Sequence, residues 1–265
     1  MSTLTETDIR NCVIPSHIRA TSTYQPVSHS DALDAMEIAL NGRGYQIRRN
    51  NDGSEAKQFT LDKQRLKMVG MLPLTMQIDP EVRMMVGIMN SLDKSMALRV
   101  GFGSQVMVCT NGCFFATRVV RAKHTPGVLD TMHERLDSAL NVLDDLCTQQ
   151  SKFFERLRDV KLTDKDAYHL TGRMAREHEV IPAGDIIKVI DEWHSPAYDD
   201  FKGRTAWSLH NAVTEASKKT ARRNGSTFTD RTQQLSTFMA REFASDLSLT
   251  PTAAADPSMN AALLN

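Results

Sequence analysis

Apolar runs at Val82–Met89, Met96–Phe102, Gln105–Cys109 and Cys113–Val120 follow one another with only short polar breaks between them. They are rich in Val, Met and Phe and bounded by Gly and Asn, which predicts strands joined by tight turns. Connections this short force antiparallel neighbours, because a parallel pair needs a long crossover. Upstream, Tyr45–Arg49 alternates and predicts a strand. Asn51-Asp52-Gly53 is a turn signal, and Lys57–Leu61 returns. Lys67–Ile78 reads as one long strand or two, with Pro73 marking an edge or a bulge because it cannot donate to a ladder. Residues 45 to 122 are therefore expected to form an antiparallel meander of six or seven strands.

The period then changes. Leu129, Met132, Leu136, Ala139, Leu143, Leu146, Phe153, Leu157 and Val160 recur at spacings of three and four, interrupted once by Gln150. A continuous helix over Gly127–Val160 would be roughly 50 Å long. Its apolar seam suits either a core helix on the sheet or self-association. A shorter helix is expected from His29-Ser30 to Leu40, capped by one of those two residues, with Leu33, Met36, Ile38 and Leu40 inward. Further helices are expected from Thr163 to Arg176, from Pro182 to Trp193, from Arg204 to about Ala221, and from Thr229-Asp230 to about Asp246. The fold class is α+β: an antiparallel β-meander packed with a long α-helix, followed by a helical C-terminal half. The expected divisions are 1–28 as an irregular arm, 29–160, 161–246, and 247–265 as a disordered tail.

Composition narrows the function. The chain has 265 residues, 41% hydrophobic and 24% charged, with no net charge. Residues 1–125 carry a balance of +4 and residues 126–265 one of −4. A generic basic coat for nucleic acid is excluded, but a local basic groove is not. The 14 methionines suit irregular cores and adaptable contact surfaces. No run approaches the roughly 18 apolar residues of a membrane span. The N-terminus has no secretory pattern, so a cytoplasmic protein with reduced cysteines is expected.

Candidate chemistry is concentrated in the turns. Asn90, Ser91, Asp93, Lys94 and Ser95 share one short loop. It would either bind phosphate or satisfy its own hydrogen bonds as a turn. Gly101-Phe102-Gly103-Ser104 lacks the third glycine and following helix of a dinucleotide loop and reads as a hairpin turn. Cys109 and Cys113, around Asn111, form one C-x3-C pair without the second ligand pair a zinc site needs. Arg99, Arg118, Arg121 and Lys123, with Arg48 and Arg49, could line a positive track over the sheet. Arg118 and Arg121 need not share a face. Lys218, Lys219, Arg222 and Arg223 fall on one helical face and form the densest basic cluster. Trp193 and Trp207 are read as packing aromatics. No paired carboxylates, metal-ligand set or nucleotide loop supports an enzyme, a metal or a cofactor.

Asn90-Ser91-Leu92-Asp93-Lys94-Ser95, Val106–Asn111 and Lys123-His124-Thr125 resemble the phage- and plasmid-like proteins classed as domain of unknown function 932. So do Leu162-Thr163-Asp164, Val180-Ile181-Pro182, Glu192-Trp193 with Pro196, Trp207–Glu215 and Arg231-Thr232-Gln233. The likeness covers about residues 40–240. Leu92 departs from the family pattern, which has His there, and the pattern does not ask for Cys113. The resemblance implies a phage or mobile-element origin and no established activity. A meander under one long helix also looks like the core of Rad52-like single-strand annealing proteins, an analogy of fold alone.

The leading expectation is an oligomeric single-stranded DNA-binding or annealing protein without cofactor. Lys94, Arg99, Arg118, Arg121 and Lys123 would contact phosphates, with Lys218, Lys219, Arg222 and Arg223 as a second site. The alternative is an interaction protein that binds and inhibits a host enzyme. An enzyme using Cys109 or the Asn90–Ser95 loop is the third reading.

Overall fold

The structure is a computed structural model, and it describes residues 4–79, 81–106, 114–177, 180–217 and 225–247. Two compact units form. One comprises residues 1–148 with 218–230, the other residues 149–217 with 231–265.

The first unit is built on a five-stranded antiparallel sheet in sequential order. Its strands are β1 (Gln58–Leu61), β2 (Lys67–Asp79), β3 (Val82–Ser91), β4 (Leu98–Val106) and β5 (Phe114–Ala122). Three helices belong to this unit: α1 (Glu6–Arg10), α2 (His29–Gly42) and α3 (Val128–Leu140). α4 (Leu143–Asp159) follows and crosses the boundary between the units.

Alternation sorts the sheet into two faces. One lies under α2 and α3 and holds Met68, Leu72, Leu74, Met84, Val86, Ile88, Val100 and Phe102, each at most 1% exposed. Burial of each such side chain contributes about 1.5–3 kcal/mol. Gly70 belongs to this face by necessity. A Cβ there would come within 2.8 Å of Ile88 Cγ2 and 3.0 Å of the Phe59 ring.

The meander has fewer strands than its apolar runs suggest. Met96–Phe102 and the beginning of the Gln105–Cys109 run fall in one strand, since β4 runs through Gly101-Phe102-Gly103-Ser104 to Val106, and residues 107–109 lie outside the described residues. Those glycines face Gly87 and Met85 across the ladder instead of turning the chain. Tyr45–Arg49 makes only isolated bridges, Ile47 to Leu74 and Arg49 to Glu55. Pro73 sits beyond the reach of β1, and the β2–β3 register slips between Pro73 and Gln77, so it does mark a bulge.

The long helix is two helices, broken at Asn141-Val142. Tyr45 donates its hydroxyl toward the Leu140 carbonyl (3.4 Å) and the Asp144 carboxylate (3.3 Å). Arg43 hydrogen-bonds Asn141 and pairs with Asp137 at 3.2 Å. One freed backbone group at the break, the Leu140 carbonyl, is thus met by a side chain from just after α2, and Arg43 ties the same break through side chains. Met132, Leu136, Ala139, Leu143, Phe153 and Leu157 are all buried within the single chain. Leu129, Leu146 and Val160 of the same series keep part of their surface exposed.

α2 is capped by Ser28, one residue before the predicted pair, with its hydroxyl accepting the Asp31 N–H at 2.9 Å. Ile38 is out of phase with Leu33, Met36 and Leu40 and points outward, 63% exposed. Within the first 28 residues, α1 is ordered by a Thr5–Asp8 capping box and buries Ile9 completely.

The second unit is helical: α5 (Asp164–Arg176), α6 (Ile186–His194), α7 (Ala206–Ala216) and α8 (Gly225–Phe243), the last beginning in the first unit. Thr163 caps α5 with a capping box, as its sequence predicts. α7 is buried almost all round, which marks it as the unit's central helix. Two of its polar residues are satisfied locally: Asn211 donates to the Trp207 carbonyl and Thr214 to the His210 carbonyl, both at 2.9 Å.

Candidate functional site

The β3–β4 connection, richest in polar groups, is closed on itself. Asn90 and Ser91 end β3 and are fully buried. The Asn90 amide donates to the Val27 carbonyl at 2.9 Å and to His29 Nδ1 at 3.0 Å. His29 Nε2 in turn lies 3.2 Å from the Arg65 carbonyl. A neutral ring protonated at Nε2 satisfies both contacts, and burial lowers the His29 pKa accordingly. Ser91 Oγ donates to the Met96 carbonyl at 2.9 Å and accepts its N–H at 3.1 Å. Asp93 accepts the Ser95 N–H at 3.0 Å and faces Lys67 at 3.6 Å. Burial would raise its carboxyl pKa, but the Ser95 hydrogen bonds and Lys67 outweigh that and hold it low. Lys94 adopts a left-handed φ of 63° and rests its ammonium 4.3 Å from the Tyr24 ring centre. Ser91, Asp93 and Ser95 thus make the hydrogen bonds of a closed turn, while the buried Asn90 Oδ1 has no hydrogen-bond partner among the described residues.

The cations gather on the second sheet face. Along β3 that face carries Arg83, Met85, Gly87 and Met89, and in register with them lie Gly103, Gly101 and Arg99 of β4. β5 continues the rows with Val119 opposite Gly101 and Arg121 opposite Arg99. Met71 pairs with Gly87 from β2, and Met71 and Val119 pack against the buried Met85. The paired glycines Gly87 and Gly101 leave the strip between Met71 and Val119 without side chains of their own. Arg99 and Arg121 would repel if they were alone, and both are engaged by further contacts. Arg118 falls in the other phase, opposite Phe102, where the β4–β5 register slips. Lys123 is exposed just beyond the strand.

Arg83 carries no chemical signal in the sequence, because it lies inside an apolar run. The bulge after Pro73 places it opposite Gln77. Arg48 is held alongside β2, its N–H donating to the Pro73 carbonyl at 2.8 Å. Since Ile47 bridges to the buried Leu74 on the first face, Arg48 falls on the second, the same face as Arg83. Nε of each arginine is buried and lacks a hydrogen-bond partner among the described residues. Burial lowers the Arg83 pKa, and the nearby charge of Arg48 lowers it further. The arrangement offers donors and positive charge, the chemistry of anion binding.

Other clusters are structural. Glu6, Glu37 and Glu55 converge closely enough to hold a metal, but the Lys57 ammonium occupies their centre at 2.5–2.7 Å from each. Trp193 and Trp207 are both 3% exposed, as packing aromatics should be, and the Trp193 indole donates to Asp164 at 2.9 Å. Asn111, Cys109 and Cys113, with Lys218, Lys219, Arg222 and Arg223, lie outside the described residues.

Among the described residues, no helix is long and apolar enough to cross a membrane. No curated protein and no solved structure matches the chain, so the likeness to single-strand annealing proteins gains no structural neighbour. One family does match, over residues 17–243, and it takes in the sheet, α2 to α7 and all of α8. The chain belongs to the family described as Domain of unknown function (DUF932).

Proposed function

We propose that this chain binds single-stranded DNA along the second face of its sheet, as an annealing protein of recombination or replication must. The observation that supports this most is the register. Arg48, Arg83, Arg99 and Arg121 share that face, at its two ends, with Met71, Met85 and Val119 between them. Guanidinium groups recognise phosphate through paired donors, and such contacts position a strand without reading its sequence. Met71 and Val119, part-exposed on either side of the buried Met85, are the apolar groups that bases would meet, and the chain's zero net charge makes the interaction local. The likeness to phage- and plasmid-like proteins sets the expected context, a mobile element in its host's cytoplasm. Lys94 and Arg118 drop out of the leading set, one resting on Tyr24 and the other out of phase.

The test is fluorescence anisotropy of a labelled oligo-dT at low and high salt, with light scattering on the same samples to read subunit number. Binding that weakens steeply with salt supports the proposal. Failure to bind at low salt overturns it.

A further inference from the structure

We infer that Arg48 and Arg83 together form a seat for one phosphate-class oxyanion. On the single-strand reading, on which this assignment of the ligand rests, the occupant is a backbone phosphate. The same chemistry would accept free inorganic phosphate.

The argument begins with Pro73. Lacking an N–H, it cannot continue the ladder, and the strand bulges immediately after it, between its pairing with Met85 and that of Gln77 with Arg83. The bulge re-aims the local side chains, as bulges beside functional sites commonly do. The Pro73 carbonyl meanwhile fixes the backbone of Arg48, whose own carbonyl accepts the Ala56 N–H at 2.7 Å. The two arginines are thereby held on one face, on anchored backbones, close enough for the charge of Arg48 to act on Arg83.

Two like charges held together and partly desolvated are unfavourable unless something offsets them. The chain supplies carboxylates generously elsewhere, three of them to Lys57 alone. Among the described residues it supplies none within salt-bridge distance of Arg48 or Arg83, and both Nε donors are left without an acceptor. Both residues keep part of their surface exposed, so a small anion can reach them. A phosphate oxygen pair matches the fork of a guanidinium and would satisfy Nε together with a terminal nitrogen.

The proposal makes an unusual prediction about sign. In phosphate-free chloride buffer, Arg83→Gln removes a repulsion and should raise the melting temperature or leave it unchanged. A merely structural arginine would lower it. In phosphate at matched ionic strength, the native chain should gain about 3 °C at ten times the dissociation constant. Phosphate also stabilises folded proteins generally by exclusion from their surface, and that part is common to every variant. The seat is therefore read from the difference between the native chain and Arg48→Gln or Arg83→Gln.

Thermal melting in chloride and in phosphate, for the native chain and both variants, decides the matter. A phosphate gain in the native chain that both variants lose supports the seat. An equal gain in all three, or a fall in melting temperature for Arg83→Gln in chloride, overturns it. Oligo-dT titration of the same proteins separates the two sources. Weaker strand binding by both variants assigns the seat to the backbone. A phosphate gain without any strand binding keeps the seat and removes the nucleic-acid reading, while strand binding without a phosphate gain does the reverse.

Discussion

Lys57 and Arg83 are both partly desolvated cations of the sheet-bearing unit, and the chain treats them in opposite ways. Lys57, its side chain 5% exposed, is gripped by Glu6, Glu37 and Glu55. Burial works against its charge, but the carboxylates outweigh that and raise its pKa. Arg10 of α1 reinforces the clamp through Asp34 at 2.5 Å and Glu37 at 3.1 Å. Arg83 has another cation for a neighbour, and its pKa falls. The first arrangement fastens α1 to α2 and to the start of the sheet. The second lacks an anion among the described residues. Of two partly desolvated charges, the one whose partners the chain provides is structural, and the one it leaves short is the better candidate for a ligand.

Substitutions that break the satisfied side of this contrast should have the largest effects. Lys57→Met leaves three carboxylates facing one another and should cost about 3–5 kcal/mol in urea denaturation. Asn90→Leu strips the Val27 carbonyl and His29 Nδ1 of their donor and should cost about 2–4 kcal/mol. Neither change touches the second sheet face, so neither should alter the response to phosphate.

Acid sharpens the same point. His29 and His124 in the first unit have pKa values lowered by burial, as does His210 in the second, pushed down to about 3. A histidine kept neutral when folded takes up its proton more readily when unfolded. Its contribution is complete above the unfolded value near 6.5 and is lost as pH falls below it. Denaturation midpoints should hold from pH 8 to 7, then decline below about pH 6.5. Each such histidine adds a slope of about 1.4 kcal/mol per pH unit. A flat profile down to pH 5 would contradict this burial.

The smallest effect is expected at Lys94. Lys94 itself is exposed where it rests on Tyr24, so Lys94→Ala should change stability by about 0.5 kcal/mol. It should also weaken oligo-dT binding less than Arg99→Gln or Arg121→Gln does.

Much of the fold was legible because periodicity carries it. The meander, the capping of α5 by Thr163 and the bulge at Pro73 all follow from local chemistry. Other features depend on partners far along the chain. Asn141-Val142 preserves the apolar spacing of a continuous helix, and the break is held by Arg43 and Tyr45 nearly a hundred residues upstream. Gly101 and Gly103 look like a turn until the ladder sets them opposite Gly87 and Met85. The candidate site is harder to read from the sequence for a related reason. Asn, Ser and Asp serve turns as readily as ligands, so the Asn90–Ser95 loop advertised polar groups that the fold had already used. Arg83 sits among Val and Met with no motif around it. Only the register, with the phase it imposes, brings it beside Arg48.

The central claim is that the arginine-bearing face engages a nucleic-acid backbone, and the salt dependence of oligo-dT affinity tests it most directly. Three phosphate contacts, one of them shared by Arg48 and Arg83, predict a slope of log affinity against log salt of about −2, and removing two through Arg99→Gln with Arg121→Gln should bring it to about −0.7. A slope unchanged by that double substitution, in a protein whose circular dichroism is also unchanged, would contradict the account.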